Sequence, residues 1–151
     1  MSTTTTRTTT TRQYRDTQVD VKLVLCALWI AMLFVFAYVD IFGFYRADVL
    51  EAAFDGKVAT TRFTVNQIWL IFTLIYILIP TLMVVLSLVL KPRVNRIVNI
   101  VVSLVYMVTI IGSAIGEEWA YYIIGSVIEV ILLAAIARTA WKWPPPQMAS
   151  S

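Results

Sequence analysis

The sequence contains no histidine and one cysteine, Cys26, in 151 residues. Without histidine, no imidazole is available to ligate zinc or haem or to activate a nucleophile. A lone cysteine excludes an intrachain disulfide and a cysteine-ligated iron–sulfur cluster. Five glycines form no nucleotide-binding loop, so no cofactor and no metal is expected. Charge is scarce too, with Asp, Glu, Lys and Arg making up 14% of the chain against about 25% in an ordinary soluble domain. Apolar residues fill the chain instead, at 60%, and this composition is that of a membrane protein. The net charge of +3 does not point to nucleic acid, because the basic residues surround apolar segments rather than gathering on one soluble face. The lipid bilayer is the expected partner.

A helix crosses the ~30 Å hydrocarbon core with about 20 apolar residues. Four runs qualify, at about 23–44, 65–90, 94–115 and 119–141. The second holds Pro80 and is long enough to tilt or kink there. Short connections force neighbouring helices to run antiparallel, so the expected fold is all-α, an up-down-up-down four-helix bundle over 21–143. Orientation follows from Lys and Arg near the helix ends. Arg7, Arg12, Arg15 and Lys22 precede the first run, Lys91, Arg93 and Arg96 separate the second from the third, and Arg138 and Lys142 close the fourth. Arg46, Lys57 and Arg62 fall on the opposite side with Asp48, Glu51, Asp55, Glu117 and Glu118. Both termini are therefore predicted to be cytoplasmic, in a multi-pass protein of the cell membrane.

The threonine-rich head, residues 1–20, is too polar to bury itself and reads as a disordered tail. The proline-rich residues 144–151 read as a short extended end. In the first external loop, "RADVLEAAF" repeats apolar residues at helical spacing and "FDGK" supplies a turn, which predicts a short surface helix and a return. The other connections are "KPRVNR" inside and "GEE" outside.

Polar groups in membrane helices turn inward. Each run carries one polar or aromatic stripe: Trp29, Phe36 and Asp40; Asn66, Trp69, Thr73, Tyr76, Pro80, Met83 and Ser87; Asn95, Asn99, Ser103, Tyr106 and Ser113; Tyr122, Ser126 and Glu129. Helix rise places Glu129 at ~18 Å, Tyr106 at ~18 Å and Tyr76 at ~21 Å from the cytoplasmic edge. Those phenols are the expected partners of the Glu129 carboxyl group. Asp40 lies at ~26 Å, near the outer interface, where water and Arg46 can assist it. Asn99 comes out level with Trp29, and Arg96 reaches water by snorkelling.

A central acid costs about +2.5 to +3.5 kcal/mol on insertion, while each Leu, Ile, Val or Phe returns about −0.3 to −0.6, so the fourth run still spans. Low dielectric disfavours a charged carboxyl group, and Glu129 is expected to be neutral at pH 7 unless a cation or water reaches it. Two roles are open to it: a hydrogen bond that ties helices together, or a proton relay or small-ligand centre.

The pieces "YVDIFGF", "IPTLMVVLS", "RVNRIVNI", "YYIIGSVIE" and "AWKW" resemble, in order and spacing, a family of small bacterial four-span membrane proteins of uncharacterised function. The resemblance runs from about Val19 to Trp143. It implies Tyr38, Asp40, Gly43, Pro80, Arg93, Asn95, Arg96, Asn99 and Glu129 as recurring polar and turn positions, and it implies no activity. The external loop departs from the pattern. DoxX-like proteins are similar in size and topology alone.

Three functions compete. The foremost is a non-enzymatic accessory or structural component of a membrane complex, with another membrane protein or a second copy as partner. A small oligomeric transporter or channel centred on Glu129 is the alternative. A quinone- or lipid-linked enzyme is the third, with Asp40, Arg96 or Tyr106 as polar contacts and no activated nucleophile in view.

Overall fold

The computed structural model describes residues 19–59, 61 and 63–143. The two tails assigned from sequence fall almost wholly outside this range, as does Arg62. Among the described residues five helices follow one another: α1 Val21–Gly43, α2 Ala47–Phe54, α3 Gln67–Val89, α4 Pro92–Ala114 and α5 Ala120–Trp141. All but α2 are long and apolar enough to cross a membrane.

The helix starts carry their own signals. Asp20 accepts from the Lys22 N–H at 2.8 Å and Asn66 from the Trp69 N–H at 2.9 Å, the capping geometry that satisfies N–H groups a first turn leaves free. Proline occupies the first position of α4, where its missing N–H costs nothing and its fixed φ suits the helix. Because α4 starts there, "KPRVNR" is not the loop expected from sequence. Leu90 and Lys91 alone connect α3 to α4, Lys91 is extended as a residue before proline prefers, and Arg93, Asn95 and Arg96 are helical.

End-to-end contacts fix the topology. Lys22 at the start of α1 donates its Nζ to the carbonyls of Leu88 and Leu90 at the end of α3, at 2.9 and 3.0 Å. Arg46 after α1 meets Glu117 after α4, and Arg96 early in α4 lies over the Trp141 ring that ends α5. The long helices thus alternate in direction. In space α1 packs on α3 and α5, and α5 on α4, while α3 and α4 touch sparsely. Gly125 permits the close approach of α5 to α1, since a Cβ there would overlap the Val39 side chain.

The surface loop holds the expected helix, α2, and the expected turn, with Gly56 at φ 68°. The return adds a feature that sequence did not announce, an antiparallel bridge between Lys57 and Thr64. Large apolar side chains such as Phe72, Val89 and Val108 are about 70% exposed on the chain's outer faces, a pattern suited to lipid rather than water.

Packing differs between the two ends. Leu25, Trp29, Met32, Met83, Leu133, Ile136 and Ala140 are all buried and close the half that bears the termini. The half that bears α2 contains a cavity.

Candidate functional site

The closed half is knitted by a polar network as well as by apolar contacts. Trp29 Nε1 donates to Asn99 Oδ1 at 2.7 Å. Asn99 Nδ2 donates to both the backbone and side-chain oxygens of Asn95, at 2.9 and 2.6 Å, and Asn95 Nδ2 donates to the Ser87 carbonyl at 2.6 Å. Asn95, Asn99 and Ser87 are fully buried, and their partners satisfy them where water cannot. Asn99 therefore belongs to a structural tie between α1, α3 and α4 and does not join the other candidate residues.

Pro80 decides what Tyr106 does. Proline has no N–H, so the Tyr76 carbonyl four residues earlier lacks its helical donor. Tyr106 OH donates to that carbonyl, and its ring stacks on Tyr76 with centroids 4.7 Å apart. Helix α3 runs through Pro80 without interruption. The phenol is thereby occupied, and the Glu129–Tyr106 hydrogen bond expected from matched depth does not form. Equal depth placed both groups at one level but could not show that a proline on a third helix would claim the phenol.

Above this layer lies a cavity of about 570 Å³, walled by Phe36 and Asp40 of α1, Trp69 and Tyr76 of α3, Thr109 and Ser113 of α4, and Tyr122, Ser126 and Glu129 of α5. Glu129 is 3% exposed, and its Oε1 has no hydrogen-bond partner among the described residues. Tyr76, which sequence also nominated, shares the cavity but sends its hydroxyl to Thr109, 2.7 Å away. Asp40 is exposed and lines both this cavity and a neighbouring one of about 370 Å³ beneath the surface loop. Val39, Ser113 and Tyr122 also belong to both, so the inner space adjoins the loop side of the bundle.

Arg46 does not serve Asp40 as expected. Its guanidinium reaches Asp48 at 2.7 Å and Glu117 at 3.1 Å and covers the Trp119 ring. The bond to Asp48 raises the Arg46 pKa and holds the Asp48 carboxyl below its ordinary value. A residue just past the helix end is free to turn toward the loops, and two carboxylates there outcompete one within the bundle. Arg93 and Arg138 are exposed and Arg96 half-buried, all at the end opposite the cavity. Thr109 is a polar wall residue absent from the stripes seen in sequence, as are the apolar Val39, Phe63 and Ile110; its hydroxyl three residues after Tyr106 was the available signal. Among the described residues, no group of three His, Cys, Asp or Glu is placed to hold a metal ion.

A family of unknown function (DUF6326) matches residues 15–150, nearly the whole chain. The chain belongs to this family. DUF6326 carries no assigned activity, so the geometry of this member is what a functional reading must rest on. No curated protein and no solved structure matches the chain.

Proposed function

We propose that this protein binds a small solute within the membrane and works as a transporter, with Glu129 as the anchoring group. The observation that carries this reading is Glu129, a wall residue of the cavity whose buried Oε1 has no partner among the described residues. Leaving a buried acceptor unpaired costs about 1–3 kcal/mol, a cost that a purely structural polar group avoids by finding a donor, as Asn99 Oδ1 does in Trp29 Nε1. The cavity volume falls within the range of about 300–1,000 Å³ usual for small-molecule sites. Binding and passage, not catalysis, is the role assigned to it.

In this proposal both termini are cytoplasmic. Lys22, Lys91, Arg93, Arg96, Arg138 and Lys142 lie at one end of the bundle, which supports that orientation through the bias of Lys and Arg toward the cytoplasm. The cavity then opens toward the outside. Four spans leave little room for a complete pathway, so a homo-oligomer in the lipid bilayer is the working unit. The accessory-component reading rests on missing motifs and gives the unpaired carboxyl group nothing to do. The likeness to DoxX-like proteins bears on topology alone.

Purified full-length protein in proteoliposomes tests the proposal with a panel of small cationic, neutral and anionic solutes. Saturable uptake of at least one class, lost in Glu129→Gln, is expected. Absence of saturable uptake and of ligand-induced thermal stabilisation across the whole panel overturns it in favour of the accessory role.

A further inference from the structure

Resting on the reading of the cavity as a solute site, we infer that its ligand is a small organic cation, a protonated amine carrying an apolar group. The polar balance of the wall supplies the reason. Thr109 Oγ1 donates to the Tyr106 carbonyl at 2.9 Å, which leaves its oxygen to accept from Tyr76 OH. Ser113 Oγ donates to the Ile110 carbonyl at 2.9 Å and accepts from Tyr122 OH at 3.1 Å. These four hydroxyl hydrogens are therefore spent on chains that end in backbone carbonyls. Glu129 and Asp40 bring carboxyl groups to this wall beside oxygen lone pairs, and the Ser126 hydroxyl and the Trp69 indole N–H remain as its donors.

Charge points the same way. The charged or titratable groups along this cavity are Asp40 from α1, Glu129 from α5, and the phenols Tyr76 from α3 and Tyr122 from α5; among the described residues no Lys or Arg lines it. Arg46, at the adjoining cavity, is already engaged by Asp48 and Glu117. Two acids with no cation beside them among the described residues form a site for a donor of positive charge. Much of the remaining wall is aromatic, with Phe36, Trp69, Tyr76 and Tyr122 beside the aliphatic Val39 and Ile110. Aromatic faces stabilise organic cations, most strongly where water is excluded. An inorganic ion would leave this surface unused, and a carboxylate or phosphate would meet two acids.

Three molecules of one shape test the inference: benzylammonium, benzyl alcohol and benzoate, each titrated by equilibrium dialysis into the full chain in lipid nanodiscs. Saturable benzylammonium binding at least tenfold tighter than that of the other two is expected, weakened tenfold or more in both Glu129→Gln and Asp40→Asn, each first checked for monodispersity. Using two variants guards against one that fails to fold. Equal or tighter binding of benzyl alcohol or benzoate, still lost in Glu129→Gln, overturns the cation class and leaves the site standing. Benzylammonium binding unchanged in both variants overturns the class and the site together. If none of the three binds, the cation class fails, and the wider panel judges the site by itself.

Discussion

Tyr106 donates its phenolic hydrogen to the Tyr76 carbonyl, the acceptor that Pro80 deprives of its helical partner. One helix thus repairs a fault that proline introduces into another. Tyr106→Phe removes the repair and is expected to cost about 1–2 kcal/mol, measured by denaturant unfolding in detergent. Pro80→Ala restores a backbone donor. In that background the same Tyr106→Phe change is expected to cost much less, and equal costs in the two backgrounds would show that the phenol and the proline are not coupled.

The Asn99 network makes a separate prediction. Asn99→Leu leaves Trp29 Nε1 without its acceptor and both Asn95 oxygens without the Asn99 amide. A loss of about 1–3 kcal/mol is expected. Asn99→Leu with Trp29→Phe should cost less than the sum of the single changes, because the indole N–H is then no longer stranded. Additive costs would mean that the Trp29 bond contributes nothing in the membrane environment.

How far the sequence disclosed this arrangement depends on the kind of contact. Spans are written as long apolar runs, and the four helices differ from the expected bounds by a few residues at their ends. The pairing of Trp29 with Asn99 was also within reach, since depth along a helix follows from residue count. The Glu129 environment was not. Whether Tyr106 meets Glu129 or the Tyr76 carbonyl depends on azimuth and on which helices are neighbours, and neither is encoded by a single helix's periodicity. The cavity was hidden for the same reason: it arises where α3 and α4 stand apart while Gly125 brings α5 onto α1. Arg46 shares an end of the bundle with Glu117 and turns to that acid instead of Asp40, a partner hidden in the sequence because the α4–α5 turn that carries Glu117 lies about 70 residues away.

The loop clamp has a pH signature. Asp48 has a lowered pKa, chiefly through its bond from Arg46. A carboxylate depressed on folding stabilises the fold above its unfolded pKa, about 3.9 for Asp, and that contribution is lost as pH falls through the folded value. The α2 segment is therefore expected to stay protected at neutral pH and to loosen below about pH 4, read by hydrogen exchange over residues 47–59. Asp48→Asn should remove this acid step while the Arg46–Glu117 pair remains. A step unchanged in Asp48→Asn would assign it to Glu117 instead.

The central claim is that Glu129 is held for a ligand and not for the fold. The most direct measurement is the unfolding free energy of Glu129→Met beside the native chain in the same detergent without added solute. Methionine fills similar space and removes an acceptor that has no donor, so the variant is expected to be as stable as the native chain or more stable by up to about 3 kcal/mol. A loss of about 1 kcal/mol or more would show that the carboxyl group ties helices together, and would contradict the account.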